Sequence, residues 1–201
     1  MKLFLLIAII ALGGSVGIIG CGSSPATRYY LLAPLAEVDQ VRKIAEKGEN
    51  PAIGIGPVQF PKYLDRPQIV TRTNRNQIDI ADFDQWAEPL QDNFTQVIAE
   101  NLSLLFPGER IVVFPWGRST ILKQQVLIEV VRFEGKLGGE TLLTTRWSLL
   151  DTQTNQLLSR KVSHFSAASN GSGFNGTVSA MNQTLEELSR EIAAALKAAS
   201  R

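Results

Sequence analysis

A glycine-rich stretch near the end of the chain has the spacing of a dinucleotide-binding loop. Gly171, Gly173 and Gly176 form a literal G-x-G-x-x-G sequence between a predicted strand and a predicted helix. In a nucleotide site such glycines let a pyrophosphate approach the helix N-terminus. That site also needs a second strand with an acidic residue about 20 residues further on. The sequence shows no such strand after the helix, so we expect a flexible loop rather than a nucleotide site.

Nucleophilic catalysis would depend on His164, because it is the only histidine in the sequence. It lies in a predicted strand between Ser163 and Phe165, where a histidine commonly lies on the sheet surface or packs against its neighbours. No nucleophile elbow or partner acid accompanies it. We therefore expect no catalytic residue. A periplasmic hydrolase that uses His164 is the alternative, and unchanged activity after its replacement by alanine would dismiss it.

Metal ligands are scarce. A metal site usually needs several histidine or cysteine ligands, and the sequence has one of each, His164 and Cys21. Asp79, Asp82 and Asp84 lack the glycine and the closing glutamate of a calcium loop. We expect the last two to lie just before a helix, where a negative charge favours the helix dipole. The sequence therefore predicts no metal and no cofactor.

The first 20 residues have the pattern of a secretory signal peptide. Lys2 supplies a positive charge, residues 3–12 contain no polar side chain, and a Gly/Ser-rich stretch leads to Cys21. Because Cys21 is the only cysteine, it has no disulfide partner within the monomer. The sequence from Ile18 to Cys21 resembles a bacterial lipoprotein signal, in which cleavage precedes the cysteine and its sulfur then carries diacylglycerol.

An uncleaved membrane anchor is the alternative, since residues 3–20 are just long enough to span a bilayer. The glycines and serines between Gly13 and Ser23 disfavour it, because a spanning helix needs sustained apolar side chains. We predict a signal peptide at 1–20, a lipidated tether at 21–27 and a periplasmic domain at 28–201. Cys21 is the predicted site of lipid attachment, and the covalent lipid is the only group we expect the chain to carry.

Composition and charge agree with one ordinary domain. The chain has 201 residues, 44% of them hydrophobic. This length and composition are sufficient for a hydrophobic core. The formal net charge is +1 at pH 7. Removal of Lys2 with the signal peptide would bring the net charge to about zero. A neutral domain has no electrostatic footprint for nucleic acid. We expect no nucleic-acid partner, and membrane association through the acyl chains alone.

Alternation of apolar and polar residues predicts a succession of strands. They cover residues 28–32, 52–60, 68–73, 77–81, 111–114, 125–133, 141–150 and 156–165. Apolar residues with helical spacing predict one helix after Pro89, up to residue 105, and a closing helix over residues 174–196. The charged segment 37–50 fits either a short helix or a mobile loop. The predicted fold is α+β, a single domain with a mainly antiparallel sheet and two main helices packed on one face.

Several sequence blocks together resemble a known family. The most specific is the block from Pro61 to Arg72 (PKYLDRPQIVTR), followed by Trp86 to Leu90 (WAEPL). Further blocks are RYYLL from Arg28, IGPV from Ile55, AENL from Ala99, FEG from Phe133, RWSL from Arg146 and the closing helix. They resemble the PqiC-like (YmbA-like) family, the auxiliary lipoproteins of ABC-type intermembrane transport systems. The insert at 37–50 and the Ser/Asn/Gly loop before the last helix depart from the family pattern.

Membership implies a non-enzymatic component, anchored in the outer membrane and facing the periplasm. The resemblance implies that it works with an MCE-domain protein that carries lipids between the two membranes, and that it forms a homo-oligomer. Gly22 resembles the residue found after the acylated cysteine of outer-membrane lipoproteins. The alternative is a structural or assembly lipoprotein of the outer membrane without a transport role. A neighbouring gene for an ABC permease or an MCE-domain protein would separate the two.

Two prolines border a short segment of the Pro61 block that carries an aromatic residue and a pair of opposite charges. Pro61 and Pro67 stiffen the four residues from Tyr63 to Arg66, so these residues can be presented to a partner at low ordering cost. Tyrosine and arginine are common anchors of protein interfaces. The predicted interaction surface consists of Tyr63, Asp65, Arg66, Arg72 and Trp86.

The alternative is that Asp65 and Arg66 pair locally and Tyr63 covers the sheet, since isolated surface ion pairs contribute little. If the surface is functional, replacement of Tyr63 and Arg66 should weaken association and leave the fold intact.

Overall fold

The computed structural model describes residues 25–35, 51–171 and 173–200. The predicted signal peptide (1–20), the lipid-attachment residue Cys21 and the charged segment 37–50 lie outside the described residues. Within these ranges, no helix combines the length and the apolar character that crossing a bilayer requires.

The described residues form eight strands and two α-helices. In chain order they are β1 (Arg28–Tyr30), β2 (Ala52–Gln59), a 3-10 turn (Lys62–Leu64), β3 (Gln68–Asn74), β4 (Gln77–Trp86), α1 (Leu90–Leu105), β5 (Ile111–Val113), β6 (Leu122–Gly135), β7 (Glu140–Asp151), β8 (Gln156–Ala168) and α2 (Gly173–Ala199). Each predicted strand and both predicted helices are present, with boundaries that differ by a few residues.

The larger sheet has five strands in the order β5-β2-β6-β7-β8. Strands β6, β7 and β8 pair antiparallel, whereas β2 lies parallel to both β5 and β6. Parallel neighbours need a long crossover connection, which here contains the hairpin of β3 and β4 and then α1. Strand β6 is the central strand, and the sheet is mixed, with its antiparallel pairs on one side of β6 and its parallel pairs on the other.

A second sheet has three strands in the order β1-β4-β3. The hairpin of β3 and β4 is confirmed, and β1 adds in parallel along the last three residues of β4. Strand β4 continues to Trp86, five residues beyond its predicted end. Asp84 therefore lies in a strand and pairs with Arg28, so its predicted role at the start of α1 is wrong. The backbone stays extended here because residues 84–86 pair with β1.

Both helices pack against the larger sheet and against each other. In β7 four alternate residues are at most 1% exposed, namely Leu143, Thr145, Trp147 and Leu149. This confirms the alternation on which the strand was predicted, and the indole of Trp147 belongs to the core rather than to a ligand site. The α+β class with one domain and two main helices is confirmed.

Most of the glycine-rich stretch belongs to a helix, because α2 begins at Gly173. A Cβ at Gly176 would lie 2.9 Å from the carbonyl oxygen of Gly171 and 3.1 Å from that of Asn170. Carbonyl oxygens, rather than N–H donors, thus approach the third glycine of the motif. The glycine is explained by this close backbone approach, and the expectation of a loop is wrong for residues 173–176.

Candidate interaction site

Residues 28–35, which we call the strap, run from the small sheet across both helices. Three asparagine side chains accept hydrogen bonds from its backbone N–H groups. The pairs are Leu32 N with Asn93 Oδ1 (2.6 Å), Ala33 N with Asn182 Oδ1 (3.1 Å) and Leu35 N with Asn101 Oδ1 (2.8 Å). Because Asn93 and Asn101 belong to α1 and Asn182 to α2, the strap is fixed to both helices.

The start of the strap is fixed by one buried carboxylate. Asp84 is 3% exposed, and both of its oxygens accept hydrogen bonds from the guanidinium of Arg28, each at 2.7 Å. The hydroxyl of Tyr30 donates a third hydrogen bond at 2.7 Å. The hydrogen bond from Arg28 and, to a lesser degree, that from Tyr30 hold the pKa of Asp84 below its ordinary value, against the opposing effect of burial.

We expect the Tm of an Asp84→Asn variant to lie furthest below that of wild type at neutral pH. A carboxyl group with a lowered pKa in the folded state stabilises the protein above its unfolded pKa of about 3.9. That contribution is lost as the pH falls through the folded pKa. The Tm difference between wild type and variant should therefore shrink below about pH 4, as followed by thermal unfolding from pH 7 to pH 3.

An Arg28→Gln background tests the cause, since it removes the hydrogen bonds that lower the pKa. In this background the Asp84→Asn change should have a smaller effect at pH 7. A Tm difference that is the same at pH 3 and pH 7 would contradict the assignment.

A second buried carboxylate connects the two sheets. Glu134 lies on β6, is 0% exposed, and accepts hydrogen bonds from Tyr63 Oη (2.6 Å), Arg72 Nε (2.7 Å) and Arg132 Nε (2.8 Å). Burial raises the pKa of the Tyr63 hydroxyl, and the hydrogen bond to Glu134 raises it further, so the hydroxyl remains a donor at neutral pH. Tyr63 and Arg72 thus fix the 3-10 turn and β3 to the larger sheet.

A pocket of about 360 Å³ lies beside this network, between the 3-10 turn and the start of α1. Its lining brings together the two most specific sequence blocks, the one from Pro61 and the one from Trp86. The lining residues are Phe60, Leu64, Asp65, Arg66, Pro67, Trp86, Ala87, Glu88, Pro89, Leu90 and Gln91. The walls are mostly apolar, and the charges come from Asp65, Arg66 and Glu88.

Arg66 is the polar residue of this pocket with an unused donor. Its Nε is buried and has no hydrogen-bond partner among the described residues. None of the ion pairs within the described ranges involves Asp65 or Arg66. Local pairing of these two residues, the alternative considered from the sequence, is therefore absent from the structure. A buried donor without a partner costs free energy, which an incoming acceptor would recover.

The predicted interaction residues divide into two groups. The pocket is lined by Asp65, Arg66 and Trp86. Trp86 is part of the wall and is itself buried, with 5% of its surface exposed. Tyr63 and Arg72 instead bind Glu134. Replacing Tyr63 would therefore disturb the folded domain. A Tyr63/Arg66 double variant cannot separate a loss of association from a loss of stability.

His164 lies on the exposed face of β8, where its Nδ1 is 3.1 Å from Thr144 Oγ1. The neighbouring Ser163 points into the core and donates a hydrogen bond of 2.5 Å to Glu191 on α2. Successive side chains of a strand point to opposite faces, so this serine and this histidine are on different sides of the sheet. Within the described residues, no group of three histidine, cysteine, aspartate or glutamate side chains converges as a metal site would.

No role for Glu134 or for the asparagines that hold the strap follows from the sequence pattern. Glu134 and Asn101 do lie in blocks that resemble the family, FEG and AENL. The sequence signal for Glu134 is a charged residue directly after the apolar residues of a predicted central strand. Such a residue needs polar partners once the strand is buried.

Comparison with solved structures shows the fold class first. A crystal structure of an uncharacterized protein matches with a TM-score of 0.70 and 23% identity, covering 86% of this chain and 99% of that chain. Protein XCC0632 from Xanthomonas campestris matches with a TM-score of 0.64 and 13% identity, covering 83% of this chain and 92% of that chain. These proteins share the α+β fold of two sheets and two packed helices.

Sequence comparison then gives the family. The family model for the ABC-type transport auxiliary lipoprotein component matches residues 30–193, and the chain belongs to this family. The intermembrane transport lipoprotein PqiC of Escherichia coli K12 is 27% identical over 141 residues, which cover 70% of this chain and 72% of PqiC. The protein of the same name from Shigella flexneri matches to the same extent. The resemblance to PqiC-like proteins is thereby confirmed.

Proposed function

We propose that this chain is a lipoprotein of the outer membrane, anchored through acylated Cys21, with its domain in the periplasm. It acts as a non-enzymatic auxiliary subunit of an ABC/MCE-type system that moves lipids between the two membranes. The family match over residues 30–193 carries this proposal, and the similarity to an intermembrane transport lipoprotein supports it. Cys21 at the end of a signal-like leader and Gly22 after it support the anchor and the outer-membrane location.

The pocket between the 3-10 turn and α1 is the contact that we assign to an MCE-domain partner or to a second copy of this chain. It presents apolar walls, an aspartate that forms no ion pair within the described ranges, and an arginine whose buried Nε has no hydrogen-bond partner there. Such a combination of an aromatic or apolar floor and an available arginine is common in interface hot spots. Pro61 and Pro67 limit the motion of the segment that carries both charges.

We expect a charge-exchange variant, Asp65→Arg with Arg66→Asp, to reduce partner capture at least about tenfold, because hot-spot changes at interfaces cost 2 kcal/mol or more. Capture is measured by crosslinking in intact envelopes, followed by identification and quantification of the crosslinked proteins. The exchange keeps the net charge, and neither side chain is part of the Glu134 network.

The matched control is Glu129→Arg with Arg146→Glu, an exposed ion pair at 2.7 Å on the outer face of the larger sheet. It also keeps the net charge. Equal capture by both variants and wild type would remove the pocket as the contact. Captured proteins that include no ABC or MCE component would favour the structural or assembly role, and fractionation that finds the chain away from the outer membrane would contradict the location.

A further inference from the structure

The strap has one face fixed to the domain and one face exposed. Arg28 and Tyr30 point to Asp84, and Leu32 is buried at 3% exposure. The residues between them, Tyr29 and Leu31, are 65% and 51% exposed. An alternating pattern of this kind places the two exposed apolar side chains together on the outer side of an extended segment.

The strap also lies close to Cys21 in the sequence. Arg28 follows Cys21 by seven residues, and a fully extended chain covers at most about 3.6 Å per residue, or roughly 25 Å here. Because Arg28 is hydrogen-bonded to buried Asp84, this distance limits how far the start of the strap can lie from the acylated sulfur. Tyr29 is the next residue.

We propose that Tyr29 and Leu31 form a membrane-contact patch, and that its occupant is the surface of the bilayer that holds the diacylglycerol on Cys21. This inference rests on the proposed acylation of Cys21. Tyrosine combines an apolar ring with a polar hydroxyl and is enriched at membrane–water interfaces. The short tether keeps the patch at high effective concentration near the bilayer, so a weak contact is sufficient.

The charges around the patch do not oppose this contact. Arg28 is neutralised by Asp84 at 2.7 Å, and the residue paired with Tyr29 on β4 is the uncharged Gln85. The small sheet therefore faces the lipid surface with its β1 edge. Val162 on β8 lies on the opposite face of the larger sheet from the helices, because its neighbour Ser163 points to Glu191 on α2. The strap lies on the helix side.

The test uses the full mature lipoprotein in vesicles of phosphatidylethanolamine and phosphatidylglycerol. Because Cys21 is the only native cysteine and is acylated in the proposal, a newly introduced cysteine is the single free thiol. Tyr29→Cys, Leu31→Cys and the control Val162→Cys are each labelled with the environment-sensitive fluorophore NBD. Val162 is 60% exposed, which matches the two patch positions.

We expect lipids that carry a shallow quencher to reduce the emission of the probes at 29 and 31 by roughly twofold or more relative to the probe at 162. Equal quenching at the three positions in acylated protein overturns the membrane contact alone. A blue shift at 29 and 31 that depends on protein concentration, without quenching by lipid, shows that a second copy covers the patch and also overturns it. Mass spectrometry of the same sample reports the anchor separately: a bare thiol at Cys21 overturns both the acylation and the inference.

Discussion

Replacing Glu134 with alanine is expected to lower the free energy of unfolding by about 3–5 kcal/mol, because removal of one partner leaves buried charges uncompensated. Glu134 is 0% exposed, and two guanidinium groups, those of Arg72 and Arg132, are bonded to the same oxygen at 2.7 and 2.8 Å. Without the carboxylate, both cations face each other in a partly buried space. Urea unfolding followed by circular dichroism measures the loss.

Glu129→Ala is the matched control, since it lies on the same strand and also pairs with an arginine. The side chains of Glu129 and Arg146 are 48% and 56% exposed, and a surface pair contributes at most about 1 kcal/mol. If both variants lose the same amount, the Glu134 network is not the connection between the sheets that the structure indicates. A Glu134→Gln variant should lie between them, because it keeps the shape and some of the hydrogen bonds.

The Glu134 change should also reach the candidate site. Tyr63 is part of the 3-10 turn and donates to Glu134 at 2.6 Å, and Asp65 and Arg66 follow directly on that turn. Loss of the carboxylate frees the turn, so we expect partner capture to fall even under conditions in which the Glu134→Ala variant is still folded. Stability and interaction are thus connected through one buried residue.

The helices and the long antiparallel strands were predictable because each depends on local periodicity. The apolar spacing of residues 90–105 and the alternation in β7 identify the buried face without knowledge of the fold. The parallel pairing of β2 with β6 was not predictable in this way, since it joins residues about 70 positions apart. Periodicity gives the face of a strand, but it does not give the direction of its neighbour.

The same limit explains why the partners of charged residues do not follow from the sequence. The sequence places Asp84 just before α1, but its partner Arg28 lies 56 residues earlier. Tyr63 and Arg72 are predicted to belong to an interaction surface, and the fold adds a partner, Glu134, that lies 71 and 62 residues later. A charged side chain takes its role from partners that the fold supplies, so a sequence block can indicate a region without giving the role of each residue in it.

Phe133→Ala should lower the free energy of unfolding by about 3–5 kcal/mol, the usual loss when a large aromatic core residue is truncated. Phe133 is 0% exposed, and its ring is 5.5 Å from that of Phe94 on α1 and 6.5 Å from that of Phe60. Alanine would leave a cavity between the larger sheet and α1 that the fixed strands cannot close completely. Chemical unfolding of the variant measures the loss.

Phe114→Ala serves as the control, because Phe114 also packs edge-on against an aromatic ring, that of Trp116 at 5.3 Å, but is 48% exposed. We expect a loss below about 1.5 kcal/mol there, since half of its surface is already in water.

Phe60 adds a readout specific to the site: it lines the pocket and packs against Phe94 at 5.1 Å. Truncation of Phe133 removes one of its two aromatic neighbours, so partner capture at the pocket should weaken together with stability, whereas Phe114→Ala should leave capture at the wild-type level. Retained capture in a destabilised Phe133→Ala variant would show that the pocket wall does not depend on this cluster.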